Sequence, residues 1–326
     1  MQRPLVVHEH FAPNNDGWLL HCRQTFSAED LDLDRPPVVI VPGYGMNSFI
    51  FGFHPAGRSM ERVFAEAGHE VWSVNLRHQG DSRPATSRPA GPSMRAWADV
   101  DLAAAVDTVL AERRVNPDRV TLVGCSLGGS ISYAHLALRA EHRVGALVSI
   151  GAPLRWITVH PLLRAVFASP RLVGAVRVRG TRRMARTVLP ALSRIPGLLD
   201  IYLNADHVDM SVATELTQTI EDPHPRINRD IARWMNHGDL VLRGVNVTRA
   251  LARTEQPLLL VTSNRDGIVP DDAARAALDA WGGPSEELRV GTDAQWYAHA
   301  DLFIGRDAER DVFEPILGWL DRTHRS

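Results

Sequence analysis

Hydrophobic residues follow two different patterns along the chain. Near its start, strand-like runs at 5–11 and 18–26 flank Pro13-Asn14-Asn15-Asp16-Gly17, a turn composition, and together they predict an antiparallel hairpin. After the hairpin come short, unalternating apolar runs rich in β-branched residues, which are typical of parallel strands covered on both faces. These runs are 37–42, 70–75, 119–124, 144–151 and 257–262.

Helical patterns separate these apolar runs. The clearest extends from Met94 to Arg114 and is closed by the Asn116-Pro117-Asp118 turn. Alternating strands and helices predict an α/β protein. We therefore expect a mostly parallel central sheet with an antiparallel hairpin at its N-terminal side.

The alternation stops between about Pro153 and Thr254. Here the chain is helical and loop-like, contains several prolines and shows no convincing strand, which predicts a helical cap inserted between two sheet strands. The length of 326 residues fits one large core with such an insertion. The predicted domains are 1–153 and 255–326 for the core and 154–254 for the cap.

Charge is distributed unevenly between the core and the predicted cap. A formal net charge of -2 argues against a chain built to bind nucleic acid. No acidic residue occurs from Val144 to Leu199, yet nine arginines do: Arg155, Arg164, Arg171, Arg177, Arg179, Arg182, Arg183, Arg186 and Arg194. This segregation indicates either a solvated face or a surface that attracts a membrane or a carboxylate- or phosphate-bearing substrate.

The composition also excludes several kinds of chemistry. The sequence contains no lysine, which rules out Schiff-base chemistry and the phosphate-binding loop that ends in Gly-Lys-Ser/Thr. Cys22 and Cys125 are far apart, and no Cys/His cluster suggests a structural metal, so neither a metal nor a cofactor is expected. No signal-peptide pattern opens the chain, and no apolar run approaches the roughly 20 residues of a membrane span. We expect a reduced, soluble, cytoplasmic protein without stable membrane insertion.

The segment Gly124-Cys125-Ser126-Leu127-Gly128 lies where an apolar strand runs into a helix of small residues. This is the G-x-S-x-G nucleophile elbow in its strand–turn–helix context, and the glycines allow strand and helix to approach at a sharp, strained turn. Ser126 is the predicted nucleophile, and the backbone N–H of Leu127 is a predicted oxyanion donor. A structural Gly/Ser-rich turn is the alternative.

A serine nucleophile needs a base, and the base needs an orienting acid. Asp266 follows the strand-like run at 257–262, and His299 precedes the final helical segment, which gives the chain order Ser, Asp, His of α/β hydrolases. Asp301 is an alternative acid, although its position favours a role at a helix start. Four further histidines are interpreted as ordinary polar residues: His78, His160, His207 and His237. Trp296 and Tyr297 either line a pocket or fill the core, and the sequence leaves both possibilities open.

Together these segments resemble the α/β-hydrolase fold family over almost the whole chain apart from the cap. The first parallel strand leads into Pro42-Gly43-Tyr44-Gly45, which is similar to the family's His-Gly-x-Gly loop. The resemblance implies that the backbone N–H of Tyr44 is the second oxyanion donor. The loop 75–82 is similar to the family's Asp-x-Arg-Gly-x-Gly-x-Ser loop. Pro42, Asn75 and His78 replace the usual histidine, aspartate and glycine.

The resemblance implies a serine esterase or lipase-like enzyme that cleaves carboxylic esters through an acyl-enzyme. An acyltransferase or thioesterase would use the same machinery, and residues 41–75 also resemble polyhydroxyalkanoate synthases, whose nucleophile is cysteine. Cys125 precedes the nucleophile position and is expected to pack in the core. A non-catalytic binding protein on a hydrolase scaffold is a further alternative. The predicted partner is a small ester, lipid-like or anionic.

The cap sequence predicts an apolar face over Ser126 and a basic face turned outward. Aliphatic and aromatic residues alternate there with the arginines, and they are expected to line a pocket for small to medium acyl groups. They are Trp156, Leu162, Leu163, Val166, Phe167 and Leu172.

Overall fold

A nine-stranded sheet runs through the computed structural model, which describes residues 3–113, 118–192, 197 and 199–325. Most of the predicted turn at 116–118, together with Arg194, lies outside these residues. Strands β1 to β11 are Leu5–Pro13, Trp18–Ser27, Val38–Val41, Val71–Val74, Arg83–Pro84, Val120–Cys125, Val144–Ile150, Val241–Leu242, Val245–Asn246, Leu258–Ser263 and Ser285–Val290.

The strand order is β1-β2-β4-β3-β6-β7-β10-β11, with β5 paired to β2. β1 pairs with β2, and β2 with β4, in antiparallel register, whereas every neighbouring pair from β4 to β11 is parallel. The predicted hairpin and the five predicted parallel strands are confirmed. β11 was not predicted, because its sequence Ser-Glu-Glu-Leu-Arg-Val is polar and half-exposed at the sheet edge.

The helices cover both faces of this sheet. Helices α1 to α14 are Phe49–Gly52, Met60–Glu66, Met94–Ala96, Leu102–Glu112, Leu127–Leu138, Pro161–Val166, Pro170–Val173, Thr181–Leu192, Ala213–Leu216, Pro225–His237, Val247–Ala250, Asp271–Ala280, Asp301–Ile304 and Glu314–Arg325. The predicted helix from Met94 onward is interrupted by a π-helical turn, Trp97–Asp101, between α3 and α4. That turn directs both Trp97 and Asp101 to Arg77, whose carbonyl accepts the indole N–H and whose guanidinium binds the carboxylate.

The hydrophobic core forms two layers, one on each side of the sheet. Along β3, Val39 and Val41 belong to one apolar cluster, and Val38 and Ile40 belong to the other. All four side chains are fully buried, as the period of two along a strand requires when both faces are covered. Because β4, β3, β6, β7, β10 and β11 are parallel neighbours, their carboxyl ends lie along one edge of the sheet.

Helices α6 to α11 all lie in the stretch between β7 and β10, where the sequence predicted an insertion. β8 and β9 form a small antiparallel pair in the same stretch, so the expectation that it holds no strand was wrong. Each is two residues long, too short for an apolar period to show. Within the described residues, no helix combines the length and the hydropathy needed to cross a membrane.

Candidate active site

Ser126 occupies the sharp turn between β6 and α5. Its backbone has φ 52° and ψ −123°, a conformation that costs energy for a residue with a side chain. The turn is held by a hydrogen bond of 2.8 Å from the Ser126 N–H to the Ile150 carbonyl of β7. A side chain at position 128 would collide with the Val41 carbonyl, and one at position 124 with the backbone of Gly129. The glycines are therefore needed because strand and helix touch at this point.

His299 lies between Ser126 and Asp266. Its Nε2 is 2.9 Å from the Ser126 Oγ, and its Nδ1 is 2.6 Å from Oδ2 of Asp266. These distances fit the imidazole tautomer that donates Nδ1–H to the carboxylate and accepts the serine hydroxyl proton at Nε2. The side chains of His299 and Asp266 are 6% and 4% exposed, so the hydrogen bonds are shielded from water.

Asp266 is oriented by its own backbone turn. Its Oδ1 accepts N–H groups from Ile268 and Val269, each at 2.8 Å, which leaves Oδ2 for the imidazole. The turn follows β10, and the His299 loop follows β11, the neighbouring parallel strand. The loops are also joined directly, since the Arg265 N–H donates to the Tyr297 carbonyl at 3.1 Å.

Asp301 does not contact the imidazole by any hydrogen bond in the described structure, although it lies two residues from His299. Its carboxylate accepts the backbone N–H of Ala298 at 2.7 Å and that of Asn204 at 3.0 Å. Burial raises the pKa of this carboxyl to about 6, against the effect of these hydrogen bonds. Asp301 stands at the start of α13, as expected, and links the His299 loop to the segment that contains Asn204.

The two predicted oxyanion donors lie beside Ser126. Leu127 is the first residue of α5, and Gly43 approaches so closely that a Cβ at position 43 would be 3.0 Å from the Ser126 Cβ. Within the described residues, neither the Tyr44 nor the Leu127 backbone N–H has a hydrogen-bond partner. Such a pair of free donors at a helix N-terminus fits a developing oxyanion. The Tyr44 hydroxyl donates to Asn228 of α10 at 2.7 Å.

Two amide side chains support this loop, and the sequence did not indicate their roles. Gln79 Nε2 donates to the Gly43 carbonyl at 3.2 Å, and Oδ1 of Asn75 accepts the Ser48 N–H at 2.9 Å. Both belong to the loop that resembles the family's Asp-x-Arg-Gly segment. Asparagine serves there because its amide also donates to the Ser48 hydroxyl at 2.9 Å.

An apolar cavity of about 370 Å³ lies against Ser126 and His299. Trp156, Leu163 and Phe167 line it, as predicted from the cap sequence. The same expectation was wrong for three other residues, Leu162, Val166 and Leu172, which are 56%, 52% and 70% exposed. Leu163 in α6 and Phe167, which caps its C-terminus, are four residues apart and face the cavity. Leu162 and Val166 are each offset from them by one residue and therefore face another direction.

The remaining candidates lie apart from the Ser126 hydroxyl. Cys125 is fully buried, which confirms its packing role, and burial raises the pKa of its thiol well above the usual value. The His78 ring contacts the rings of Trp18 and His224, both at tilted angles, and desolvation by these neighbours lowers the pKa of its imidazole to about 4. The other histidines have local roles or are exposed: His160 caps α6, His207 packs on Tyr297, and His237 ends α10.

Trp296 and Tyr297 prove to be structural. Trp296 lies under the Arg265 guanidinium at 4.7 Å, and the buried Tyr297 donates its hydroxyl to Asp311 at 2.5 Å. Neither residue lines the cavity. Within the described part of the chain, no group of three or more His, Cys, Asp or Glu residues is arranged to hold a metal ion.

The sequence matches the family model of the alpha/beta hydrolase fold over residues 36–296. The chain belongs to this family. A search of curated proteins finds no match. Among solved structures, an esterase from Exiguobacterium antarcticum is similar at 17% identity and a TM-score of 0.61, with 96% of this chain and 100% of that chain covered.

Two further solved structures show the same fold. An esterase from Rhodococcus sp. ECU1013 has a TM-score of 0.61 at 17% identity, covering 97% of this chain and 98% of that one. The 2-hydroxy-6-oxo-6-phenylhexa-2,4-dienoate hydrolase of Rhodococcus sp. strain RHA1 has a TM-score of 0.60 at 18% identity, covering 98% and 99%. At this level of identity the similarity establishes the fold, while the reaction has to be argued from the site.

Proposed function

We propose that the protein is a serine hydrolase that cleaves carboxylic esters. The observation that carries this proposal is the continuous hydrogen-bonded chain from Ser126 through His299 to Asp266, at the wall of an apolar cavity. A structural serine would not need a strained backbone, a buried imidazole and a buried carboxylate in this order. The esterases among the similar structures favour the same reaction class.

The proposed reaction begins with attack of the Ser126 Oγ on the ester carbonyl carbon. His299 Nε2 takes the hydroxyl proton, and the Asp266 carboxylate stabilises the imidazolium that forms. The negative charge that develops on the carbonyl oxygen is stabilised by the N–H groups of Tyr44 and Leu127. Collapse of the tetrahedral intermediate expels the alcohol, which takes the proton from His299. Water then attacks the carbonyl carbon of the acyl-enzyme while His299 Nε2 takes its proton. The bond to Ser126 Oγ breaks, the serine regains its proton from His299, and the carboxylic acid leaves.

The cavity favours an apolar acyl or alcohol group of small to medium size. Its walls come from the core, with Ile50 and Leu127, and from the proposed cap of residues 154–254, with Leu163, Phe167 and Trp234. Burial of apolar substrate surface against these side chains contributes about 25 cal/mol for each Å². We therefore expect kcat/KM to increase with acyl length until the cavity is full.

Labelling with a fluorophosphonate, read out by peptide mass spectrometry, tests the proposal together with hydrolysis of p-nitrophenyl esters. Wild type is expected to be labelled at Ser126 and to hydrolyse the esters, whereas Ser126→Ala does neither and remains folded by circular dichroism. His299→Ala is expected to lower kcat by several orders of magnitude. Labelling that persists in Ser126→Ala, or wild type that neither reacts nor turns over, would reject the proposed nucleophile.

A thioesterase or an acyltransferase would use the same geometry. Two additions to the p-nitrophenyl ester assay distinguish these reactions from ester hydrolysis. Thioester analogues test for a thioesterase, and an added alcohol, as a competing acyl acceptor, tests for an acyltransferase. The labelling experiment also separates any of them from a non-catalytic binding protein, because a protein without an activated serine does not react with the phosphonate.

A further inference from the structure

Exposed aliphatic side chains are concentrated in one stretch of the chain. Between residues 157 and 188, the large apolar side chains that are exposed are Ile157, Leu162, Val166, Leu172, Val176, Val178, Met184 and Val188. In the rest of the described chain there are only Val7, Leu33, Tyr44, Tyr202 and Val241. Single exposed apolar residues are ordinary, whereas a concentration of them indicates a surface that contacts a partner.

Helix α10 carries a row of arginines. On α10, Arg226, Arg229 and Arg233 repeat at i, i+3 and i+7 and therefore share one side of the helix. The opposite side of α10 carries Ile231 and Trp234, which line the apolar cavity. The arginine row is thus on the outer side of a helix whose inner side closes the cavity.

Two of the exposed aliphatic residues, Leu172 and Val176, belong to segments that contact the arginine-bearing helix. Helices α7 and α10 pack together, and the Arg229 guanidinium donates to the Gly174 carbonyl just after α7 at 3.3 Å. Asn236 at the end of α10 donates to the Ala168 carbonyl, just before α7, at 3.2 Å. Leu172, in α7, and Val176, two residues after Gly174, are 70% and 56% exposed on these segments. We name this outer side of α7, residues 174–178 and α10 the arginine face.

The arginine face carries a net positive charge, because it holds five arginines and one carboxylate, Asp230. Arg171, Arg177, Arg226 and Arg233 are exposed, and none of them forms an ion pair within the described residues. Asp230 is half-buried and accepts the Met94 N–H at 3.2 Å. Burial raises the pKa of its carboxyl, while the nearby guanidinium groups of Arg226, Arg229 and Arg233 lower it. Guanidinium groups bind phosphate oxygens in a bidentate geometry that an ammonium group cannot match.

We propose that the arginine face docks on a bilayer that contains anionic phospholipids. Exposed aliphatic residues interleaved with arginines are the composition of a surface that lies in the lipid interface. A second copy of this chain fits poorly, because two arginine faces would repel each other. A bilayer bound here lies about one helix diameter, roughly 10 Å, from the cavity on the other side of α10. The docking does not depend on catalysis.

Co-sedimentation with vesicles tests this proposal. Wild type and Ser126→Ala are expected to bind vesicles of equimolar phosphatidylcholine and phosphatidylglycerol, more weakly at higher salt, and to bind phosphatidylcholine alone much less. Use of Ser126→Ala separates docking from the proposed hydrolysis, since binding is measured without turnover.

Matched variants locate the surface that binds. The triple variant Arg171→Gln, Arg226→Gln, Arg233→Gln is expected to lower vesicle affinity by roughly a hundredfold. The control Arg88→Gln, Arg119→Gln, Arg253→Gln makes the same change in charge at exposed arginines elsewhere and is expected to leave most of the affinity. Leu172→Ser with Val176→Ser is expected to weaken binding, whereas Leu33→Ser does not.

Three results would overturn the proposal. One is equal loss of affinity in the two triple variants, which would show diffuse charge rather than a face. Another is equal binding to the two vesicle compositions. The third is a dimer, seen by sedimentation velocity without vesicles, that Leu172→Ser dissociates, because a second copy would then be the occupant.

Discussion

Replacing Asp266 by asparagine should trap the imidazole of His299 in the wrong tautomer. In the wild-type structure, Oδ1 of Asp266 accepts two backbone N–H groups, from Ile268 and Val269, each at 2.8 Å. The oxygen of an asparagine amide is therefore held at those two donors, and its NH₂ group is turned to His299. The imidazole must then accept at Nδ1 and carry its proton on Nε2, where it cannot receive the proton of Ser126.

The size of the expected loss of kcat in Asp266→Asn follows from the same hydrogen bonds. Turning the amide over would restore the correct tautomer, but it would place NH₂ against two buried N–H donors, at a cost of about 1–3 kcal/mol for each. The wrong tautomer should therefore dominate. A triad with that tautomer loses about 10⁴ in kcat, or about 5.5 kcal/mol of transition-state stabilisation.

The assay compares kcat for a p-nitrophenyl ester in wild type, Asp266→Asn and Asp301→Asn. Asp301 is the matched control, because it is a buried carboxylate on the same loop as His299 but binds only backbone N–H groups. We expect Asp301→Asn to change kcat by less than about tenfold. The tautomer argument is refuted if Asp266→Asn keeps a tenth of the wild-type kcat, and the acid is wrongly assigned if Asp301→Asn is the more damaging change.

Three further predictions concern stability, reactivity and specificity. Because burial raises the pKa of Asp301 from 3.8 to about 6, the folded state binds this proton more tightly than the unfolded chain. The stability of wild type relative to Asp301→Asn should therefore fall by about 2 kcal/mol between pH 4 and 7 in urea titrations. A constant difference would contradict this prediction. Burial raises the pKa of the Cys22 thiol to about 12 and also raises that of Cys125. Iodoacetamide at neutral pH should therefore neither label nor inactivate the native protein. Rapid labelling of Cys125 would contradict this prediction and show that its thiol is accessible. Leu163→Trp should fill the cavity and lower kcat/KM for long acyl esters, relative to acetate esters, by roughly tenfold to a hundredfold. Leu162→Trp on the exposed side of α6 should not have this effect. Equal effects of the two variants would mean that Leu162 faces the cavity as much as Leu163 does.

The sequence alone was sufficient for features that depend on short-range geometry. Unalternating apolar runs predicted the parallel strands, since a strand covered on both faces has no polar side. Gly124, Ser126 and Gly128 predicted the elbow, because strand and helix can approach so closely only where side chains are absent. The chain order of Ser126, Asp266 and His299 was also readable, although β11, the strand that precedes the His299 loop, was not.

The tertiary structure decided the features that depend on how distant segments meet. Asp301 is closer to His299 in sequence than Asp266 is, yet only Asp266 binds the imidazole, because parallel pairing of β10 and β11 brings their two loops together. In the proposed cap, Leu163 lines the cavity and Leu162 faces outward. Both residues are apolar, so their pattern alone leaves the rotation of the helix undetermined. That rotation is set by the surface against which α6 packs, and this surface exists only in the folded protein.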